Sequence, residues 1–116
     1  RMYENDRAAR LLGIRLEEVR PGYARMTMQI RADMLNGFGI LHGGMTFSLA
    51  DTAFAYACNS NNRKTLALAC TITFTAPVRE GDSLTAEAKE QFLAGKTGVY
   101  DIEVRNRINQ KVALFR

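Results

Sequence analysis

One carboxylate interrupts a stretch of the chain that is otherwise almost free of charge. Between Arg31 and Arg63 there is no Lys or Arg, and Asp33 and Asp51 are the only charged residues. Asp51 falls within Gly44 to Asn59, a Pro-free run rich in Ala, Leu, Met and Phe that suits a helix of about four turns. A carboxylate in such surroundings is protonated, or unpaired at a cost of several kcal/mol, or matched by a group from elsewhere. Buried ion-pair networks can hold such an acid, and so can a site that needs a base or a nucleophile. Leu41-His42-Gly43-Gly44 leads into the same helix. The first N–H groups of a helix lack internal partners and lie at its positive end, and glycine lets a ligand atom approach the backbone closely. One such donor, aimed at an oxygen that gains charge in an acyl transfer, is worth about 2.7 to 4 kcal/mol. A Gly-Gly pair also suits a tight entry turn with no chemistry attached.

The spacing of these residues constrains where they can act. Gly43 and Asp51 are eight residues apart, ~12 Å along a helix that rises 1.5 Å per residue. A base and an oxyanion donor must each reach to within ~3 Å of one reacting centre. The spacing therefore predicts a homodimer with two equivalent sites, each combining Asp51 of one subunit with Gly43 of the other. Around the helix Gly44, Ser48, Asp51, Thr52 and Asn59 form a narrow polar stripe that would face the partner. Ser and Thr can also bond back to their own helix, and Asn59 can end it. His42 can polarise a carbonyl, and Asn36 offers an amide donor and acceptor. A nucleophilic triad fails, because Cys58 lies most of the helix away from His42 and Ser48 has no partner base.

The elements that must hold these residues can be read from periodicity. Glu4 to Leu12 is helical in composition and stops at Gly13; Ile14 to Arg20 and Tyr23 to Arg31 form a hairpin about Pro21-Gly22. Ala32 to Leu41 is a loop. Thr65 to Thr75 alternates with period two and predicts one long strand closed by Pro77, followed by strands at 83–92, 97–106 and 111–115 in a meander. The class is α+β, an antiparallel sheet curling over one long buried helix. The 116 residues are read as a single domain, with both ends trimmed and the last strand cut short. Basic residues are scattered along the chain despite a net charge of +4, which argues against nucleic acid. No membrane span or leader is read, Cys58 and Cys70 read as reduced thiols, and a cytoplasmic protein without metal or bound cofactor is expected.

Met34-Leu35-Asn36, His42-Gly43-Gly44 and the run Ser48 to Ser60, with Ala50-Asp51 inside it, closely resemble the phenylacetic acid degradation thioesterases of the hotdog fold. The likeness extends to Ala69-Cys70-Thr71-Ile72, Lys96-Thr97-Gly98-Val99-Tyr100-Asp101 and Val112-Ala113-Leu114-Phe115. It implies a sheet wrapped round the helix, a dimer with one continuous sheet, a dimer of dimers, and hydrolysis of phenylacetyl-CoA or ring-hydroxylated relatives, with coenzyme A entering only as part of the substrate. On this resemblance Asp51 is the catalytic carboxylate and Gly43 the oxyanion donor. Asn36 and His42 surround the thioester, and Thr52 positions water or the carboxylate. Gly44, Ser48 and Phe38 are expected against the substrate, the acyl group among Phe38, Phe54 and Tyr56, and the CoA phosphates near Arg63, Lys64 and Lys96. The alternatives are a hotdog hydratase using His42 and Asp51 as an acid/base pair, and a non-catalytic acyl-CoA-binding module.

Overall fold

The first helix is set by its cap. In a computed structural model, which describes residues 2–60 and 65–116, the Asp6 carboxylate accepts the Ala9 N–H at 3.1 Å and starts α1, Arg7–Leu11. Gly13, at φ 71°, turns the chain out of it. The Tyr3 hydroxyl donates to the Ile14 carbonyl at 2.7 Å and ties this arm to the first strand. Strands β1, Arg15–Arg20, and β2, Tyr23–Gln29, pair antiparallel about Pro21-Gly22. Ala24, Met26 and Met28 point inward and are buried, while Arg25 and Thr27 face outward, as their alternation predicts. The expected loop contains one 3-10 turn, Ala32–Met34. The long helix α2 runs Gly43–Cys58, followed by β3 (Ile72–Phe74), β4 (Ser83–Ala94), β5 (Thr97–Arg105) and β6 (Lys111–Phe115).

All pairings are antiparallel and the order across the sheet is β1-β2-β4-β5-β6-β3. The α+β reading holds, with the sheet wrapped on α2. Small side chains bring the two layers together: Ala24, Ala86 and Ala88 of the sheet and Ala50, Ala53 and Ala57 of the helix are fully buried, with Leu49, Leu84, Ile102 and Val104 filling the space between.

Three expectations are corrected. The long strand at 65–75 shrinks to Ile72–Phe74, because only that stretch lies beside β6. Thr71 and Arg116 still exchange backbone hydrogen bonds, at 2.8 and 2.9 Å. Residues 65–70 run past them with no described strand alongside, so Leu66 and Leu68 are 84% and 98% exposed although their period is correct. The meander contains β4, β5 and β6 only. β3 lies at the far edge, because residues 75–82 cross the end of the helix to reach β4 and are held there by Leu41 N–H to Val78 O and by the Ile30 and Gly81–Asp82 backbone bonds. Finally, α2 is not enclosed all round. Thr46, Leu49, Ala50, Ala53, Tyr56, Ala57 and Cys58 are buried, but the flank carrying Ser48, Asp51, Thr52 and Ala55 is only half-covered.

Among the described residues no helix is long and apolar enough to cross a membrane. The core predicts a sharp contrast in urea unfolding. Leu84→Ala, at a fully buried position, costs about 2 to 5 kcal/mol. Ile108→Ala, on an exposed turn, changes stability by less than about 0.5 kcal/mol.

Candidate active site

The entry to α2 is fastened on all sides before the helix begins. Leu41 donates to Val78 O at 2.7 Å, His42 donates to Met34 O at 2.9 Å, and Leu35 bridges Leu41. His42 is the N-cap, with extended backbone at φ −64°, ψ 132°. Its Nδ1 accepts the Gly44 N–H at 3.3 Å, and its carbonyl accepts the Met45 N–H at 2.9 Å. Two of the first three helical donors are thus satisfied locally. The Gly43 N–H is the third, and it has no acceptor among the described residues. Neither glycine has a positive φ, so a strained turn does not explain the pair. Close approach explains Gly43, since a Cβ there would lie 2.9 Å from Cζ of Phe74, whose ring covers the backbone. The sequence reading missed Phe74 in this role.

The same contacts assign donors and acceptors to the polar neighbours. Because His42 Nδ1 is an acceptor, neutral His42 carries its proton on Nε2, which stays available as a donor on an exposed side chain. The Asn36 Oδ1 accepts from Phe38 N–H at 2.8 Å and Ile40 N–H at 3.4 Å, and so shapes the loop. Its acceptor is therefore occupied, and Nδ2 is left as the group it can offer a ligand. Asn36, Gly43, Phe74 and Val78 line a groove of about 510 Å³ at this end of α2.

Asp51 lies two turns further along and does not line that groove. It sits one turn after Phe47 and one before Phe54, whose rings pack on Phe115 at 5.1 and 6.1 Å. Half-buried, it has no donor among the described residues. Burial, and secondarily the Asp6 carboxylate, push its pKa above the usual carboxylate range. Ser48 and Thr52 share its flank but donate to Gly44 O at 2.9 Å and Ser48 O at 2.6 Å, so each hydroxyl proton is engaged with the helix and only lone pairs face outward. Asn59 ends the helix, its Nδ2 donating to Ala55 O. Gly44 is exposed at the helix start, with its N–H taken by His42.

The expected acyl-binding aromatics are not gathered together. Phe38 is 89% exposed at the loop tip. Tyr56 is buried on the opposite side of α2, its hydroxyl donating to Asp6 Oδ2 at 3.2 Å and its ring edge-on to Tyr3. Phe54 alone lines a cavity, of about 310 Å³, between the end of α2 and the β4–β5 hairpin. Lys96 is on that hairpin and lines the same cavity. Arg63 and Lys64 lie outside the described residues. Cys58 and Cys70 are free thiols, and burial pushes both up in pKa. Among the described residues no cluster of His, Cys, Asp and Glu could hold a metal ion.

The unpaired Asp51 has a consequence for stability. A carboxylate whose folded pKa is raised binds its proton more tightly in the native state, so its contribution is fully present below the ordinary carboxylate range and is lost as pH rises through the raised value. Asp51→Asn removes that loss. Thermal melts should show Asp51→Asn above the parent at pH 7, with the gap closing below about pH 3.5; a lower melting point at pH 7 would mean that Asp51 makes a favourable contact.

Residues 38–113 match the model of the thioesterase superfamily. The chain is 53% identical to the acyl-coenzyme A thioesterase PaaI of Escherichia coli over 99% of its own length and 82% of that protein's. The structure of E. coli PaaI superposes with a TM-score of 0.98, covering 99% of this chain and 83% of that one. A putative esterase of Archaeoglobus fulgidus is 44% identical over 99% of this chain and 75% of its own. The structure of the Thermus thermophilus protein TT0310, 36% identical, superposes with a TM-score of 0.92 over 96% and 93% of the two chains. With the sheet wrapped on one long helix, an open Gly43 N–H at its start and an unpaired Asp51 inside it, the chain belongs to the thioesterase superfamily and has the hotdog fold.

Proposed function

We propose that the protein hydrolyses the thioester of phenylacetyl-CoA, or of a ring-hydroxylated relative, to the free acid and coenzyme A, in sites shared between two subunits. The observation that carries this reading is that the Gly43 N–H and the Asp51 carboxylate, both without a partner among the described residues, lie on one rigid helix, ~12 Å apart. Similarity to PaaI, named an acyl-coenzyme A thioesterase, supports the reaction class. In each site Asp51 comes from one subunit and the thioester oxygen rests against Gly43 of the partner subunit. Asp51 attacks the carbonyl carbon itself, or takes a proton from a water that does. Negative charge passes to the carbonyl oxygen and is held by the Gly43 N–H, with His42 Nε2–H and Asn36 Nδ2–H as further donors. Collapse of the adduct expels the CoA thiolate, a leaving group that needs no strong acid; where water attacked, this yields the free acid directly, and where Asp51 attacked, water then hydrolyses the acyl–aspartyl anhydride to the acid and restores the carboxylate.

Several features of the single chain favour a dimer. Its accessible surface is 7,223 Å², whereas a monomer of this mass exposes ~6,300 Å². The surplus of roughly 900 Å² is what one partner buries in an ordinary interface, ~800 Å². Among the described residues β3 pairs only with β6, and its other edge continues into exposed Leu66 and Leu68. Bare apolar edges of this kind are normally covered. Joining two such edges about a two-fold axis makes one continuous sheet and turns the open flanks of both helices toward each other. Two such dimers then form the tetramer.

Thiol release from phenylacetyl-CoA tests the reaction, and hydration without thiol release would replace it. Asp51→Asn should lower kcat by about 10²- to 10⁴-fold while binding stays measurable. Gly43→Pro removes the oxyanion donor; His42 already has the extended backbone that precedes proline, but the new ring must displace Phe74, so the variant's fold is checked by circular dichroism before mixing. Either variant alone should retain at most about one per cent of wild-type turnover. In a fully exchanged equal mixture half of the dimers are mixed and each has one intact site, so about a quarter of wild-type turnover should return. Persistent inactivity would rule out a shared site.

A further inference from the structure

The hydroxyl groups on α2 are of two kinds. Ser48 and Thr52 donate their protons back to the helix, to Gly44 O and Ser48 O, as hydroxyls on helices commonly do. Thr46 does not. It is 4% exposed and is the one buried polar residue among those described, yet its hydroxyl has no hydrogen-bond partner among them. No side-chain oxygen that lacks a partner there is sealed off completely. Thr46 Oγ1 therefore reaches accessible space, and the space that Thr46 lines is the groove of about 510 Å³ at the start of α2. A hydroxyl so deeply set and unpaired is unfavourable until a ligand pairs it.

Position identifies that ligand. Thr46 follows Gly43 by three residues, so the two share one face of α2, ~4.5 Å apart along its axis. Phe74, Pro77, Val78 and Val112 wall the groove beside them. Thr75 also lines it but donates to Lys111 O at 2.8 Å. The side chains there with an uncommitted proton are thus Asn36 and Thr46. With the thioester oxygen on Gly43, both arms of the substrate start at that point. An unsubstituted phenyl ring offers nothing to Thr46. The CoA arm does: its first amide begins two methylenes beyond the sulfur, ~5 Å from the thioester carbon when extended. Apolar walls suit the methylenes, and the one buried hydroxyl suits the amide carbonyl.

We propose that Thr46 makes the site selective for an amide-bearing thiol: its hydroxyl donates to the carbonyl of the first amide of the CoA arm and fixes the thiol side of the thioester while Gly43 holds the oxygen. The proposal rests on the thioesterase reading and adds the residue that reads the thiol. Ser48 and Thr52 cannot substitute for it, because their protons are engaged with the helix.

Thr46→Val replaces the hydroxyl by a methyl at nearly constant volume. Thiol release is compared for two thioesters of phenylacetic acid, one with N-acetylcysteamine, which keeps the first amide, and one with pentanethiol, which lacks it. The ratio of kcat/KM for the amide-bearing thioester to that for the pentyl thioester should fall by about three- to tenfold in Thr46→Val and return in Thr46→Ser. An unchanged ratio overturns the proposal. A loss that instead follows a ring hydroxyl, seen by comparing phenylacetyl and ring-hydroxylated phenylacetyl thioesters, overturns it in favour of the acyl arm. Melting points separate a structural role: Thr46→Val should melt no lower than the wild type, and a lower melting point would show that the hydroxyl holds the fold instead. If the wild type releases no thiol from any thioester, hydrolysis fails, and calorimetric binding of coenzyme A decides the proposal. Affinity about three- to tenfold weaker in Thr46→Val supports it, and equal affinity overturns it.

Discussion

The rigidity of α2 governs the rest of the structure. Gly43 and Asp51 belong to one unbroken helix of 16 residues, and its 1.5 Å rise fixes their separation at ~12 Å whatever the sheet does. A bend large enough to bring them together would break several backbone hydrogen bonds, at about 0.5 to 1.5 kcal/mol net each and more where the freed groups are buried. The chain therefore keeps the two groups apart, Gly43 at the groove beside Phe74 and Asp51 on the half-covered flank. The sheet packs on the face that carries Leu49, Ala50, Ala53 and Ala57. The alanines of β2 and β4 let the sheet approach closely, and the aromatic rings of Phe47 and Phe54 seal the seam against Phe115 and Tyr100.

The topology follows from the same constraint. An antiparallel meander alone would place β3 beside β4 and leave the start of α2 unsupported. The route taken by residues 75–82 carries Val78 under Leu41, where it accepts a backbone bond, and places Phe74 over Gly43. The helix entry is thus clamped by Val78 O and Met34 O, while the N–H of Gly43 is left open. His42 completes the selection by capping Gly44 with Nδ1. One donor is singled out because its neighbours are satisfied, which is how a helix terminus becomes a directed donor instead of a diffuse positive end.

How much of this was legible in the sequence depends on where the partner of each group lies. The α2 boundaries, the hairpin at Pro21-Gly22 and the inward set Ala24, Met26 and Met28 were legible because composition and period are local properties. Asp51 stood out for a similar reason, as a charge that its own neighbourhood cannot satisfy. The strand at 65–75 was legible in period but not in pairing: Leu66 and Leu68 alternate correctly, yet what lies beside them is not encoded nearby. The aromatics expected around the acyl group are not brought together within one chain, for the complementary reason. Phe38, Phe54 and Tyr56 are alike in composition, and only tertiary packing distinguishes a loop tip, a cavity wall and a latch for the N-terminal arm.

The electrostatic side of the site can be argued one step further. Asp51 is left without a donor on a half-buried flank, and the Asp6 carboxylate adds to its raised pKa. Pairing it with an arginine would lower the pKa and stabilise the fold, but in the mechanism we propose it would also weaken Asp51 as a base and occupy the oxygen that meets water or the acyl carbon. On that proposal, the absence of Lys and Arg between Arg31 and Arg63 keeps the carboxylate free of a local cation. The basic excess of the chain is spent elsewhere, in pairs such as Arg105–Glu103 and Arg116–Asp101 on β5 and β6. Such exposed pairs contribute little to stability, a median of about 0 to 1 kcal/mol, so keeping cations away from α2 costs the fold almost nothing while it preserves an available carboxylate.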